Sequence, residues 1–315
     1  MSEHLTLDWQ SAPSICPPSL FVIILNWNGW RSTLPCIESV LGSNYARLKV
    51  IVCDNGSTDD SLSAMRSWAD GQLAAPRPQH QKLANLIPDT RQRTLRTVFV
   101  AEDECFENAN HAEADVVFLC RKTNGGYAAG NNAGLLLALQ LGADYVWILN
   151  NDTLVEPSAA QYLIDHMRSA DCVGLCGTTI RSYNDPDRIH LLAGWHFNKW
   201  TARPTPVLSL SEDLKELSYV DGSSVCVSRE FLQAVGLLSL EYFLYCEELD
   251  WATRAQGRFE LGYCKRAVVY HKGADNQPAE LRSFREYYGM RARVLVTKKF
   301  WPIFLFTVLP SMLRV

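Results

Sequence analysis

The residues best suited to chemistry in this chain are two amides and a carboxylate, Asn150, Asn151 and Asp152, directly after the apolar run 145–149. Such a run predicts a buried strand, and open α/β sheets bind ligands at the carboxyl ends of their strands. Amide and carboxylate oxygens are ligands that Mg²⁺ or Mn²⁺ prefers, and a metal here would hold a diphosphate. Because Asn and Asp also favour turns, a simple turn after the strand is the alternative.

A second candidate site is acidic. Glu247, Glu248 and Asp250 lie within four residues of one another after the aromatic segment 242–245, and Arg254 follows Asp250 at helical spacing. A carboxylate beside apolar surface gains basicity, as a general base at neutral pH requires. The structural alternative is an acidic helix N-terminus, stabilised by the helix dipole and by an i,i+4 pair of Asp250 and Arg254. The two interpretations are compatible.

Small polar residues also close the first two predicted strands, at 21–25 and 50–53. An amphipathic stretch follows the first run, so we expect a β-α-β beginning that gathers strand ends and helix N-termini on one edge. An acidic residue at the position of Asp54 commonly meets a ribose or base, although a simple turn explains it equally well. The closing residues are Asn26 and Asn28 after the first strand, and Asp54, Asn55 and Ser57 after the second.

A glycine- and asparagine-rich segment, 124–134, follows the apolar run 116–119 and leads into a helix-like stretch. Glycine allows backbone to approach a ligand closely, and a helix N-terminus attracts anions. The spacing fits neither G-x-G-x-x-G nor G-x-x-x-x-G-K-[ST], which counts against a dehydrogenase and a P-loop NTPase. Asn131 and Asn132 open the helix where a carboxamide would reach a nucleotide. Alternatively, the glycines only let the helix pack close to the sheet.

The last candidate is His271, which closes the strand-like run 267–270. A lone histidine at a strand end is more often structural than a ligand, but Asp152 keeps a metal-binding role open. Strand-like runs followed by amphipathic stretches, as in these motifs, predict an α/β fold.

In this order, the motifs resemble an inverting glycosyltransferase of family 2, and within it the bacterial rhamnosyltransferase-like enzymes. The resemblance covers roughly residues 20 to 275. It implies the GT-A type of α/β fold, a Rossmann-like mixed central sheet flanked by helices, with a C-terminal helical, amphipathic extension. The motifs that carry it are Asn26-Trp27-Asn28, Asp54-Asn55-Gly56-Ser57, Asn124-Gly125-Gly126 with Asn131, Asn151-Asp152, Glu247-Glu248-Leu249-Asp250 with Arg254, and His271.

The resemblance also implies roles for single residues. Asp152 matches the metal-binding carboxylate of the family's DxD motif and His271 a late metal ligand, so both would hold Mg²⁺ or Mn²⁺. Glu248 matches the catalytic base, with Glu247 as its neighbour. The chain departs from the family because only one DxD carboxylate remains and because the base position holds Glu instead of Asp. The residues expected to bind the donor are Asn26, Asn28, Asp54, Asn55, Ser57, Asn124, Gly125, Asn131 and Asn151.

The predicted organisation has three parts. A polar segment, 1–18, precedes the GT-A domain, 19–275, and a basic and aromatic extension, 276–315, follows it. Within the domain, about 69–114 is expected to be an insertion with a short strand at 97–101. Residues 181–218 are expected to be irregular and to border an acceptor cleft.

Composition narrows the function classes. The formal net charge is −4 and the isoelectric point is near 6.0, which argues against nucleic acid as a partner. The ten cysteines form no C-x-x-C pair, which suits buried thiols in a reducing cytoplasm. The N-terminus lacks the basic start and apolar core that predict a signal peptide.

The C-terminal segment suggests a membrane contact. Its basic residues between Arg282 and Lys299 precede the aromatic run 300–310, which is shorter than the about 20 residues that span a bilayer. This pattern suits a segment lying on an anionic membrane surface, peripheral on the inner, cytoplasmic face of the cell membrane. The alternative is a C-terminal helix that closes the domain or contacts another subunit.

The function that follows is inverting transfer of a sugar from a nucleotide diphosphate-sugar to a hydroxyl of a glycan or a polyprenyl-diphosphate-linked acceptor. By resemblance, the first hypothesis is L-rhamnose from dTDP-rhamnose in bacterial surface polysaccharide synthesis. The alternatives are a sugar-phosphate nucleotidyltransferase and a catalytically inactive nucleotide-sugar binding protein. The nucleotidyltransferase ranks low because no Arg/Lys-bearing glycine-rich loop follows the first strand, where the chain reads Asn26-Trp27-Asn28-Gly29-Trp30.

Overall fold

A computed structural model describes residues 16–88, 94–104, 111, 113–170, 172–211, 214–273 and 279–312, with backbone alone for 279–281. The strands are β1 Leu20–Asn26, β2 Leu48–Asp54, β3 Thr97–Ala101, β4 Val116–Cys120, β5 Tyr145–Asn150, β6 Thr153–Val155, β7 Val173–Ser182, β8 Ile189–Leu192, β9 Gly194–Asn198, β10 Arg203–Pro206, β11 Tyr219–Val220, β12 Ser224–Ser228 and β13 Glu260–His271. The helices are α1 Trp30–Leu41, α2 Ser61–Ala69, α3 Gln81–Ala84, α4 Gly126–Gln140, α5 Ala159–Arg168, α6 Arg229–Val235, α7 Glu247–Ala255, α8 Ala279–Phe300 and α9 Leu305–Met312.

The central sheet is mixed, as predicted, with the strand order β3-β4-β2-β1-β5-β12-β7-β13-β6 and with β8 paired to β7. The strands β3, β4, β2, β1 and β5 are parallel, whereas β12 runs antiparallel between β5 and β7. The pairing sets Asn26 beside Asp54 and Leu25 beside Asn150. The polar ends of the first, second and fifth strands therefore lie at one edge of the sheet.

Successive residues of the inner strands point to opposite faces, and each face is covered by its own set of helices. Ile23 of β1 packs in the cluster that contains α4, α6 and α7, whereas its neighbour Ile24 packs with α1, α2 and α5. Both side chains are fully buried. This two-sided burial explains why the strands read as continuous apolar runs in the sequence.

Two glycines bring α4 close to the sheet. A Cβ on Gly134 would lie 2.7 Å from the sulfur of Cys53 and 3.0 Å from Ile23 Cγ2, and a Cβ on Gly130 would overlap Leu25. Close packing is thus a structural reason for glycine in this segment. It is compatible with a ligand-binding role for the segment's first residues, which lie at the edge of the sheet.

The segment 181–218 was expected to be irregular, and that prediction is wrong. It forms β8, and β9 pairs with β10 and β11 in a small second sheet. The sequence obscured these strands because they are short and partly exposed, and because β10 carries prolines, which strands tolerate only at an edge. The strand expected at 97–101 is confirmed as β3, while residues 89–93, 105–110 and 112 of the predicted insertion lie outside the described residues.

The C-terminal helices pack on the domain. Ala292 and Val296 of α8 are fully buried in a cluster with Tyr242 and Leu249, and Val308 of α9 joins them. A short 3-10 turn, Pro302–Phe304, connects the two helices. Among the helices of the described residues, none is both long and apolar enough to cross a membrane.

Candidate active site

A cleft of about 850 Å³ opens at the polar edge of the sheet. Its wall combines strand ends, the start of α4, the loop 243–245 and, from the far end of the chain, residues of α8. Five of the predicted site residues line it directly: Asn28, Asn55, Asn124, Asn151 and Asp152. Four of these offer amide groups, which can both donate and accept hydrogen bonds to a nucleotide.

Other residues predicted to bind the donor lie beneath the cleft. Asp54 is 1% exposed and accepts hydrogen bonds from Asn26 Nδ2 at 2.7 Å and from Ser57 Oγ at 2.6 Å. Ser57 Oγ also accepts a hydrogen bond from the backbone N–H of Asn28 at 2.9 Å. Sequence reasoning expected Asp54 to meet the nucleoside, whereas in the structure this buried network holds Asn28, which does reach the cleft.

Asn131 was also expected to line the donor site, but the structure buries it completely inside α4. Its Nδ2 donates to the carbonyl of Tyr127 at 3.1 Å. Gly125 immediately precedes α4, and Asn55 Nδ2 crosses to this region, donating to Asn124 Oδ1 at 2.9 Å and to the carbonyl of Gly126 at 3.0 Å. The side chain of Asn55 therefore connects the end of β2 with the start of α4.

Asp152 and His271, distant in sequence, are neighbours in space. In the pairing of β6 with β13, His271 is set against Thr153, so His271 Nε2 lies 3.1 Å from the Asp152 carboxylate. Burial would raise the pKa of Asp152, but the charge and hydrogen bond of His271 outweigh it and the pKa is lowered. Burial would lower the pKa of His271, but Asp152 reverses this and the pKa is raised.

The chemistry of this pair fits a divalent metal. Within the described ranges, no group of three His, Cys, Asp or Glu side chains converges to hold a metal ion unaided. Mg²⁺ is commonly held by only one or two carboxylates, with substrate phosphates and water completing its coordination, and imidazole is a further ligand for transition metals. A carboxylate and an imidazole in contact, at the edge of an open cleft, match such a partial ligand set.

The acidic cluster is buried against the cleft wall. Glu247 and Glu248 begin α7 and are 1% and 8% exposed. The preceding loop holds Phe243, Tyr245 and Cys246 at φ values of 74°, 71° and 69°. Such left-handed conformations cost about 1–3 kcal/mol each for non-glycine residues and concentrate at functional sites. The fold therefore maintains backbone strain where it places the two carboxylates.

Burial gives these carboxyl groups unusual proton affinity. Burial, with the charge of Glu248 added, raises the pKa of Glu247 well above its ordinary value. Burial also raises the pKa of Glu248 to about 7, helped by the charge of Asp221 and opposed by hydrogen bonds from the backbone and from Tyr127. A carboxyl group with a pKa near 7 can accept a proton at neutral pH.

Tyr127 connects Glu248 with the cleft. Its side chain lines the cleft, and its single hydroxyl proton is placed to be donated either to the carbonyl of Gly222, at 2.7 Å, or to the Glu248 carboxyl beside it. Any side chain at Gly222 would collide with Glu248. Gly222 therefore leaves the space that the Glu248 carboxyl occupies.

Asp250, the third acid of the cluster, has a structural role. It is fully buried and forms ion pairs with Arg254 Nε at 2.6 Å and with Lys299 Nζ at 2.8 Å, and Tyr242 donates to it at 2.8 Å. The predicted i,i+4 pair is confirmed. The pair with Lys299 also links α7 to the C-terminal end of α8.

Several cleft residues escaped the sequence reasoning. Lys272 directly follows His271, and its position at the same strand end was a usable signal. Phe284 and Arg285 reach the cleft only because α8 docks beside it, so no local pattern identified them. Asp221, whose charge acts on both Glu248 and His271, reads in the sequence as an ordinary Asp-Gly turn.

Comparison with known proteins identifies the class. The sequence profile of the family described as Glycosyl transferase family 2 matches residues 21–83 and 97–236. The chain therefore belongs to glycosyl transferase family 2, and the mixed sheet with its flanking helices is the GT-A fold. This assignment counts against the nucleotidyltransferase alternative.

Individual relatives are distant. The low-salt glycan biosynthesis hexosyltransferase Agl10 of Haloferax volcanii is 22% identical over 219 residues, which cover 66% of this chain and 71% of that protein. The mannosyltransferase PcManGT from Pyrobaculum calidifontis, solved with GDP-Man and Mn²⁺, superposes with a TM-score of 0.57 at 16% identity over 93% of this chain and 70% of that one. GalNAc-T7, solved with UDP, GalNAc and Mn²⁺, gives a TM-score of 0.56 at 13% identity over 91% of this chain and 49% of that one.

The buried carboxyl groups make stability depend on pH. Since the pKa of Glu247 is higher in the folded chain than in the unfolded chain, the folded state binds protons more tightly, and stability falls as pH rises from about 4.5. We expect Glu247→Gln to raise the free energy of unfolding at pH 8 by on the order of 1–3 kcal/mol, and by less at pH 5. Urea unfolding at both pH values measures this.

Glu230→Gln, at an exposed position of α6, is the matched control. It should change the free energy of unfolding by the same small amount at pH 5 and at pH 8. An equal effect of Glu247→Gln at pH 5 and pH 8 would contradict burial of an ionisable carboxyl group at this position.

Proposed function

We propose that this chain is an inverting, metal-assisted hexosyltransferase that binds a nucleotide diphosphate-sugar in the cleft and transfers the sugar to an acceptor hydroxyl. The observation that carries the proposal is Glu248, a buried carboxyl group with a pKa raised to about 7, in contact with Tyr127 of the cleft wall. Family membership supplies the class of reaction. The presence of the acidic pair argues against an inactive binding protein.

In the proposed reaction, the Glu248 carboxylate accepts the proton of the acceptor hydroxyl. The hydroxyl oxygen bonds to the anomeric carbon from the face opposite the leaving group, and the bond from that carbon to the diphosphate oxygen breaks. The electron pair leaves with the nucleoside diphosphate, and the configuration inverts in one step. Glu248 acts as the base, burial and the charge of Asp221 keep its proton affinity high, and Tyr127 orients it by a hydrogen bond.

The donor would be bound by the amides that line the cleft. Asn28, Asn55, Asn124 and Asn151 supply donors and acceptors for a base, a ribose and a diphosphate. The buried residues Asn26 and Asp54, together with the partly exposed Ser57, act through Asn28 by holding its backbone in place.

Asp152 and His271 would hold Mg²⁺ or Mn²⁺. The ion, when bound, supplies positive charge that offsets the charge on the departing diphosphate. The contact of a carboxylate with an imidazole at the cleft supports this assignment, as do the Mn²⁺ complexes of PcManGT and GalNAc-T7.

The first hypothesis for the substrates is L-rhamnose from dTDP-rhamnose, transferred to a glycan or a polyprenyl-diphosphate-linked acceptor in bacterial surface polysaccharide synthesis. It comes from the resemblance in sequence. Agl10, a glycan biosynthesis hexosyltransferase by name, supports hexosyl transfer into a glycan. PcManGT is solved with GDP-Man, so GDP-mannose is the competing donor to test.

A lipid-linked acceptor implies work at a membrane surface, and we propose such a contact for the C-terminal region on the inner face of the cell membrane. The structure changes which residues would make it. Most of the basic residues bind the domain itself, including Arg291 to the carbonyl of Tyr242, Arg293 to the carbonyl of Ala202, and Lys299 to Asp250.

The contact would instead be apolar. Trp301, expected at the membrane, packs against Phe197, whereas Ile303, Phe306 and Leu309 are 69%, 81% and 49% exposed. Trp200, 63% exposed, adjoins them through Phe304 at a ring distance of 4.8 Å. We name Trp200, Ile303, Phe306 and Leu309 the apolar patch, and Lys298 provides exposed positive charge on the same segment.

The function is tested by incubating the chain with Mn²⁺ and dTDP-L-rhamnose, GDP-mannose or UDP-N-acetylglucosamine, and by measuring free nucleoside diphosphate. We expect one donor to be hydrolysed slowly without acceptor. Glu248→Gln should keep donor affinity and lose transfer by about 10²–10⁴-fold, the usual size of general-base catalysis. In the wild type, kcat/KM should rise with pH through about 7 as the carboxylate forms, and this rise should vanish in the variant.

Glu247→Gln is the comparison that locates the base. A larger loss of turnover in Glu247→Gln than in Glu248→Gln would move the base by one residue. No hydrolysis of any donor, with nucleotide binding intact, would favour the inactive binding protein.

Asp152→Ala tests the metal site. We expect it to remove the gain in affinity for nucleoside diphosphate that Mn²⁺ provides, because the carboxylate is the only acidic ligand of the pair. Titration calorimetry with Mn²⁺ and with EDTA measures this, and Asp165→Ala, at an exposed position of α5, is the control. If Mn²⁺ improves binding equally in wild type and Asp152→Ala, the metal lies elsewhere.

The membrane contact is tested by co-sedimentation with anionic liposomes. The double variant Ile303→Ser/Phe306→Ser should bind about 10–100-fold more weakly than wild type, because it removes apolar area that would enter the bilayer surface. Truncation is unsuitable because Val308 belongs to the core. Leu136→Ser, an exposed site on α4, is the control, and equal binding of all three proteins would contradict the contact.

A further inference from the structure

Lys272 places a positive charge in the cleft that the proposed chemistry has not used. It directly follows β13, and its backbone N–H donates to the carbonyl of Asp152 at 3.1 Å. Its side chain lines the same cleft as the Asp152 side chain. The strand pairing that joins His271 to Asp152 therefore also fixes this lysine beside the proposed metal site.

The ammonium group of Lys272 is held by neutral groups. Its Nζ lies 3.0 Å from the hydroxyl of Ser32 in the first turn of α1 and 4.9 Å from the centre of the Tyr183 ring. Among the described residues, no carboxylate lies within ion-pair distance of it; the charge of Asp152 acts on it from further away, and the close partner of Asp152 is His271. A side chain whose only role was to neutralise Asp152 would point at that carboxylate instead of at Ser32.

The ligand that this arrangement fits is a diphosphate. A nucleoside diphosphate carries several negative charges, and a lysine ammonium is a compact point charge that commonly binds phosphate. The proposed metal site beside it offers one carboxylate, that of Asp152, together with the imidazole of His271. Part of the positive charge that the leaving diphosphate needs is thus available from the protein itself.

We propose that the Lys272 ammonium, oriented by Ser32, binds the diphosphate of the donor directly and shares with the metal the task of stabilising it as it leaves. This inference rests on the proposed function, because it assumes that the cleft holds a nucleotide diphosphate-sugar. It adds that the chain keeps part of its affinity for nucleoside diphosphate when no metal is bound.

The test measures binding of UDP, GDP and dTDP to the wild type by titration calorimetry. For the diphosphate that binds best, the corresponding monophosphate and nucleoside are then measured as well. Each is measured with Mn²⁺ and with EDTA. Lys272→Met keeps the length of the side chain and removes its charge, and it should weaken diphosphate binding by about 10–100-fold, the usual effect of a charge-assisted hydrogen bond. Nucleoside affinity should not change, and monophosphate affinity should fall much less.

Two variants make the comparison specific. Lys272→Arg retains the charge and should recover most of the affinity, while Lys265→Met, at an exposed position of the same strand, should bind as wild type does. In EDTA, wild type should keep measurable affinity that Lys272→Met loses. If Lys272→Met does not fold, Ser32→Ala is the second variant, because it leaves the lysine without its orienting hydroxyl. It should still weaken binding of the diphosphate more than binding of the monophosphate or the nucleoside.

Unchanged diphosphate affinity in Lys272→Met, or an equal loss for diphosphate, monophosphate and nucleoside, would overturn the inference. Failure of the proposed function looks different, because wild type itself would then bind none of the three nucleoside diphosphates.

Discussion

The arrangement of the site depends on keeping two adjacent carboxyl groups, Glu247 and Glu248, out of water. Isolated buried carboxylates are costly, and the raised pKa values show that the pair responds by holding protons more tightly. Several parts of the fold maintain this burial. The strained loop 243–246 delivers the chain to α7, Gly222 leaves room for one carboxyl group, and the Tyr127 hydroxyl contacts it.

The C-terminal helices are part of this construction. Asp250 joins α7 to α8 through Lys299, and the same docking brings Phe284 and Arg285 to the cleft. The family profile ends at residue 236, before Glu247, Glu248 and His271. The matched part of the chain therefore contains the cleft amides proposed to bind the donor, while the proposed base and the proposed second metal ligand belong to the part whose arrangement only the structure describes.

The edge of the sheet separates the site into two regions. The buried carboxyl groups lie with Tyr127 at the start of α4, whereas His271 and Lys272 lie with Asp152 at the pairing of β6 and β13. An acceptor hydroxyl needs a group that takes its proton, and a leaving diphosphate needs positive charge nearby. The proposed transfer therefore matches this division of the cleft.

The sequence alone determined the fold class and the positions of the polar motifs, because continuous apolar runs closed by Asn, Asp and Gly locate buried strands and their ends. It also identified the carboxylates and His271 as candidates, and the pairing of Asp250 with Arg254. It did not reveal the strands in 181–218, the burial of Asp54 and Asn131, or the cleft residues Lys272 and Arg285. These features follow from strand register and helix docking, which depend on contacts between residues far apart in the chain. Whether a polar side chain faces the cleft or holds a neighbour beneath it is decided by packing, so only the tertiary structure could distinguish Asn28 from Asn26.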